Sequence, residues 1–209
     1  MLFETRIDSP TSSAYRQHEY LEGLFAHLET EQQRQFHRSL GESPPRHFLW
    51  CESDGQLIVR RALPTNDLAW SPVLIPPTDS MINFQLQARC RRPDGDLRAD
   101  IHPFYSRGAR PPITDPNETR EWLEYRAGQF GLQIEDVEVE MFIRQIDKPS
   151  LSRFGAKPWF RMMVTSFFGV ATVCDPAKFE HGLTVGIGDA KAFGLGLMLF
   201  WQRGQGYGA

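Results

Sequence analysis

Cysteine is scarce, with Cys51, Cys90 and Cys174 the three thiols in 209 residues. The odd number, the wide spacing and the lack of any Cys-x-x-Cys or paired-histidine pattern exclude a disulfide framework and a thiolate zinc cage. All three read as reduced packing thiols. No apolar run approaches the roughly 18 residues a membrane helix needs, and Met1-Leu2-Phe3-Glu4 lacks the charged-then-apolar order of an export signal. The expected compartment is the cytosol, with no membrane partner. A surplus of positive charge is missing as well. With 23 Lys and Arg against 26 Asp and Glu, the net charge of -3 excludes generic polyanion binding through bulk charge. Apolar material is plentiful: the hydrophobic fraction is 41%, with 15 Phe and 5 Trp, enough for one large domain or two small ones.

The modest net charge hides segregation. Acids crowd the stretch from Asp115 to Glu140, while Arg89, Arg91, Arg92, Arg98, Arg107 and Arg110 form one basic run and Arg144, Lys148, Arg153, Lys157 and Arg161 another. Two local basic patches are therefore available to a partner.

Periodicity gives an ordered series of elements. Leu2 to Ile7 alternates as a strand, and Ser12 or Ser13 can cap a helix in which Leu21, Leu24, Phe25 and Leu28 recur at helical spacing to the mid-thirties. Two β-rich runs, His47 to Ser53 and Gln56 to Leu63, flank Asp54-Gly55, a dipeptide that accepts the positive φ of a tight hairpin. Pro64, Pro72, Pro76 and Pro77 then break the pattern and mark the approach to a domain boundary. Beyond it, Ile82, Phe84, Leu86, Ala88 and Cys90 share one side of a strand. Arg91 to Ile113 reads as loop, and Asp115-Pro116-Asn117-Glu118 opens a helix running to about Phe130 with Trp122, Leu123, Ala127 and Phe130 as its apolar face. Strands follow at Val137 to Ile146 and Trp159 to Val173. A short helix from Asp175-Pro176 to near Gly182, a glycine loop and a last strand over Leu197 to Trp201 complete the chain. The expected fold is α+β, two tandem ferredoxin-like (RRM-like) domains over residues 1–77 and 78–209.

Gly186-Ile187-Gly188-Asp189-Ala190-Lys191-Ala192-Phe193-Gly194-Leu195-Gly196 is the most informative stretch. Glycines at 186, 188 and 194 let backbone N–H groups approach an anion, and Lys191 adds a point charge. The spacing matches neither a Walker loop nor a dinucleotide fingerprint. On propensity alone, a tight turn packing on the last strand is equally admissible.

The run Phe168 to Phe200, ending GIGDAKAFGLGLMLF, resembles the C-terminal signature of the CRISPR repeat-RNA endoribonucleases, in particular the CasE type that serves Cascade complexes. Tyr15-Arg16-Gln17-His18 resembles the Tyr-x-x-His of that family's first helix, and Phe84-Gln85-Leu86-Gln87-Ala88 the strand that opens its second domain. The resemblance implies metal-independent cleavage of a repeat stem-loop, no cofactor, retention of the product, and association with the other subunits of an RNA-guided surveillance complex. It also implies that the hairpin tip holding Arg153 and Lys157 enters the RNA major groove. A non-cleaving RNA-binding subunit capping such a complex is the alternative. The chain departs from the pattern at Ala88-Arg89-Cys90, at Glu19 beside His18, and at Asp189 inside the glycine loop.

The residues suit this chemistry on their own terms. RNA cleavage without a metal needs the 2′-hydroxyl deprotonated and the departing 5′-oxygen protonated, and histidine exchanges protons near neutral pH. His18 is the expected general base or acid, with Tyr15, three residues earlier on the same helical face, as its orienting or relaying partner. The acid for the leaving group is open among Tyr15, Lys191 and water. Lys191, Gly186, Gly188 and Gly194 are expected to contact RNA, as are Arg153, Lys157, Arg89, Arg91, Arg92, Arg107 and Arg110. His102, in the basic loop, is a further candidate contact.

Overall fold

The computed structural model describes residues 1–25, 48–62, 64, 68–91, 111–147 and 158–202. The first unit runs β1 (Leu2–Asp8), α1 (Ala14–Phe25), β2 (Leu49–Ser53), β3 (Gln56–Arg61) and β4 (Ser71–Val73). Its strands lie in the order β2-β3-β1-β4. The second unit runs β5 (Met81–Ala88), α2 (Pro116–Gln129), β6 (Leu132–Asp147), β7 (Trp159–Val173), α3 (Pro176–Val185) and β8 (Met198–Gln202), in the order β6-β7-β5-β8. Every neighbouring pair is antiparallel. In both sheets the first and third strands of the unit form the centre, the arrangement of a ferredoxin-like fold, so the expected α+β tandem is the observed one.

Local chemistry explains most boundaries. Asp54 and Gly55 take φ of 53° and 75°, turning β2 into β3. Asp115 and Asp175 cap α2 and α3, each carboxylate accepting from two backbone N–H groups, with proline at the first turn. Alternation in β5 buries Ile82, Phe84, Leu86 and Ala88 on one face.

Three expectations are corrected. The proline-rich stretch contains β4, where Pro72 lies opposite Phe3 on an edge strand that tolerates its missing N–H. Strand β6 begins at Leu132 rather than Val137, because an irregularity between Ile134 and Asp136 lets pairing with β7 continue past the break in alternation. Helix α3 passes through Gly182 to Val185, since Gly182 sits against the Phe130 ring, where a Cβ would lie 2.6 Å from its Cγ. The expected continuation of α1 to the mid-thirties lies outside the described residues.

The larger core packs Ile82, Phe84 and Leu86 under Trp122, Leu123 and Ala127 of α2 and Phe179 and Leu183 of α3. The smaller sets Leu21 and Phe25 of α1 on Phe48, Trp50, Leu57 and Val59. Two features join the units. Leu49 and Ile58 meet Leu197 and Leu199, and the buried Arg60 guanidinium pairs with Glu4 at 2.6 Å while donating to the Met198 carbonyl at 2.9 Å. None of the described helices is long and apolar enough to cross a membrane.

Candidate catalytic helix and RNA interface

Helix α1 is fixed at its start by an amide. Gln17, 1% exposed, donates from Nε2 to Ser9 Oγ, the Thr11 carbonyl and Glu52 Oε2, the last at 2.7 Å. Ser13 contributes its carbonyl to the first helical bond, from the Gln17 N–H at 2.9 Å. Position 18 follows directly, at the rim of the smaller core. The His18 side chain is 23% exposed, its ring tilted against Phe48 with centroids 6.1 Å apart, and its Nε2 lies 3.4 Å from Glu22 Oε1 one turn on. Packing on one side and a carboxylate on the other hold the imidazole, with Nδ1 buried and Nε2 turned toward Glu22. Glu19, the expected acidic neighbour, instead turns to Arg16 at 3.3 Å. Tyr15 is also partly exposed, and among the described residues no hydrogen bond joins it to His18.

The glycine loop packs against this helix. Its 3-10 turn, Lys191–Phe193, abuts α1, and Ala14, Ala190 and Phe193 close over Ile146, Met162, Val164 and Leu195. Gly186 and Gly194 have φ of 73° and 74°, and the faces a Cβ would fill are occupied by Leu49 and the Trp50 ring. Their N–H groups bond to the Gly182 and Lys191 carbonyls. These two glycines shape the loop rather than offering donors outward. A Cβ on Gly188 would approach Trp122 at 3.2 Å. The Lys191 ammonium donates to the Gly188 carbonyl, closing the turn on itself. Asp189 does not face Lys191: its carboxylate lies 3.3 Å from Arg91 Nε, and its backbone bridges Arg89. The first basic run is thus stitched to the glycine loop at its start, Arg89 and Arg91, while Arg92, Arg107, Arg110 and His102 lie outside the described residues.

Arg153 and Lys157 also lie outside them, but the strands that carry their connection are described. Strands β6 and β7 pair without a break from Asp136↔Val170 to Asp147↔Trp159. Strand β5 covers β7 only over Thr165 to Thr172. The ribbon therefore overhangs the sheet by the length of Trp159 to Val164, about 20 Å at 3.3 Å per residue. This overhanging part packs on α1 and the glycine loop along its length, from Val164 and Met162 to Ile146 and Phe160 near its far end. Sequence reasoning missed Arg144 in this ribbon, whose guanidinium donates to Gln87 Oε1 at 2.6 Å. Position 144 falls in the second basic run, but nothing local distinguishes it from its neighbours.

Two ferredoxin-like units in tandem, with a histidine-bearing helix of one seated on the glycine loop of the other, define a two-domain architecture of RRM-like type. The chain belongs to the family of CRISPR-associated proteins, whose sequence profile matches residues 4–201. Its fold is similar to that of Thermus thermophilus Cse3 bound to an RNA representing a pre-cleavage complex, at 19% identity and a TM-score of 0.65 over 96% of this chain and 98% of that one. It is similar to Cas6e from Escherichia coli K-12, at 19% identity and a TM-score of 0.62 over 96% and 98%. A chain of a CRISPR RNA-guided surveillance complex also matches, at 15% identity and a TM-score of 0.61 over 96% and 99%. No curated protein sequence matches the chain.

Proposed function

We propose that this protein is an endoribonuclease that cuts the stem-loop of CRISPR repeat RNA and keeps the product as part of a surveillance complex. The observation that carries this reading is the partly exposed His18 imidazole on a helix seated against the glycine loop, in a chain of the CRISPR-associated family. The similarly folded Cse3 is seen with pre-cleavage RNA. In the reaction, the 2′-oxygen loses its proton and bonds to the adjacent phosphorus, the bond from phosphorus to the 5′-oxygen breaks, and that oxygen takes a proton. The products are a 2′,3′-cyclic phosphate and a 5′-hydroxyl. His18 handles one of the two protons, held by Phe48 and Glu22, and Tyr15 orients the substrate beside it. Lys191 and Gly188, with Arg89 and Arg91, contact phosphates, and Gly186 and Gly194 act through the loop they shape. Arg153, Lys157, Arg92, Arg107 and Arg110, from the two basic runs of the sequence, add contacts to the RNA.

A labelled repeat hairpin incubated with the protein in EDTA tests the reading. Site-specific cleavage that stops when the sugar at the cut is 2′-deoxy is expected. Intact but shifted RNA would make the protein a non-cleaving RNA-binding subunit, and continued cleavage of the deoxy substrate would point to attack by water.

A further inference from the structure

The junction between the two units encloses a cleft of about 220 Å³ that the catalytic reading leaves unused. Its walls include Trp50 and Glu52 of β2, Gln87 of β5, Arg144 and Asp147 of the ribbon, and Phe193 of the glycine loop. The volume equals roughly seven waters at about 30 Å³ each, and it is below the roughly 300–1,000 Å³ of sites for drug-sized ligands. One ring system fits.

The charges argue against a phosphate. Arg144 is the one cation among these six residues, and Glu52 and Asp147 oppose it. An anion entering here meets a net negative wall, whereas a neutral planar group with donors and acceptors on its edge meets matched partners. Those partners are already set in place. Arg144 donates to Gln87 and to the Phe193 carbonyl, at 2.6 and 3.5 Å, and its guanidinium lies 5.7 Å from the Phe142 ring centroid. Glu52 is held by the Gln17 amide at 2.7 Å. Trp50 and Phe193 add aromatic surface.

Resting on RNA as the substrate, we propose that this cleft receives a single unpaired nucleobase of the nucleotides flanking the cut. The cleft also touches Ser12, Ser13 and Gln17, at the start of the helix that carries His18, so its occupant lies next to the scissile phosphate rather than far along the stem. Two carboxylates accept hydrogen bonds and donate none, so the pocket favours bases with an exocyclic amine over uracil.

The test uses the full chain, isotope-labelled and followed by NMR, titrated separately with adenosine, cytidine, uridine and inorganic phosphate. Saturable shifts of the Trp50 indole N–H and the Gln87 amide with adenosine or cytidine are expected, with uridine at least five-fold weaker. Arg144→Gln and Asp147→Asn should each weaken the amine-bearing nucleoside by at least five-fold. Asp147→Asn changes the far end of the ribbon and keeps the test sound if Arg144→Gln fails to fold. No saturable shift with any nucleoside would overturn the proposal, as would equal affinity in Asp147→Asn or matching shifts with inorganic phosphate. The same samples receive the repeat hairpin. Cleavage without nucleoside shifts would overturn the pocket and spare the nuclease, and shifts without cleavage would uphold the pocket and overturn the nuclease.

Discussion

The two ferredoxin-like units differ most in strand length and in how their helices are anchored. In the first, the strands are 7, 5, 6 and 3 residues long, and α1 is anchored by a tertiary amide, Gln17, reaching into Ser9, Thr11 and Glu52. In the second, β6 and β7 reach 16 and 15 residues, and both helices begin on aspartate caps. The Lys178 N–H and ammonium hold the Asp175 carboxyl below the usual carboxylate range, which favours the charged cap. The second unit is a frame specified by local signals. The first is a sheet of shorter strands over its own small core, joined to that frame at the seam, and it carries the histidine. Under the proposed function, the unit with the long ribbon would hold RNA and the unit with the short strands would carry the chemistry.

Thiol reactivity should sharpen the comparison most. Burial pushes Cys51 and Cys90, one in each unit, up to about 12, leaving thiolate at about one part in 10⁴ at pH 8. Cys174 is exposed. A disulfide reagent at pH 8 should find Cys174 fast, the half-buried Cys51 slower and Cys90 slowest, with three fast thiols after unfolding; three equally fast thiols in the native protein would contradict this order. Because both folded values lie above the ordinary 9.0, the thiols' contribution to stability is full below pH 9 and is lost as pH rises from 9 toward 12.

The ion pair behind the seam comes next. Glu4→Ala leaves the Arg60 guanidinium buried without its carboxylate, at a cost of about 3–5 kcal/mol, or a drop of roughly 6–20 °C in Tm. Cys51 packs on the seam residues Leu49, Ile58, Leu197 and Leu199, so it should gain reactivity before Cys90. An unchanged Tm would mean that Glu4 does not stabilise the buried Arg60 guanidinium.

Glycine substitutions separate the units more gently. Gly194→Ala places a Cβ at φ 74° and 2.8 Å from Trp50, and should cost about 1–3 kcal/mol. Gly23→Ala, in α1 with open space around the position, should gain about 0.5–1 kcal/mol. Chemical denaturation of both variants checks the pair. The smallest effect is on binding. Lys191→Ala should weaken hairpin affinity and reduce the log–log salt slope by about one. An unchanged slope would place the lysine in the turn alone.

Signals confined to a few residues were legible in the sequence. Asp54-Gly55, the two Asp-Pro caps and the alternation of β5 each specify their own geometry, and they place five of the elements. Pro72 misled because a proline rule for central strands does not apply to an edge strand, and an edge cannot be recognised before the sheet is assembled. The irregularity at Ile134/Asp136 concealed the start of β6 by shifting the alternation. At the candidate site, a spacing of three puts Tyr15 and His18 on one helical face, and a spacing of four brings Glu22 to His18. Phe48, which packs on His18, arrives from the residue just before β2, and Arg144 meets Gln87 and Phe193 from distant parts of the chain. Such pairings exist only in the folded protein.

Under the proposed function, α1 does the chemistry and the second unit holds the RNA. His18→Ala, assayed for hairpin affinity and for single-turnover cleavage in EDTA, tests it most directly. Cleavage should slow by at least about 100-fold with affinity unchanged within a few-fold, the split expected when an acid–base group is removed without disturbing ground-state binding. Cleavage at the wild-type rate with affinity intact would contradict it and remove α1 from the reaction.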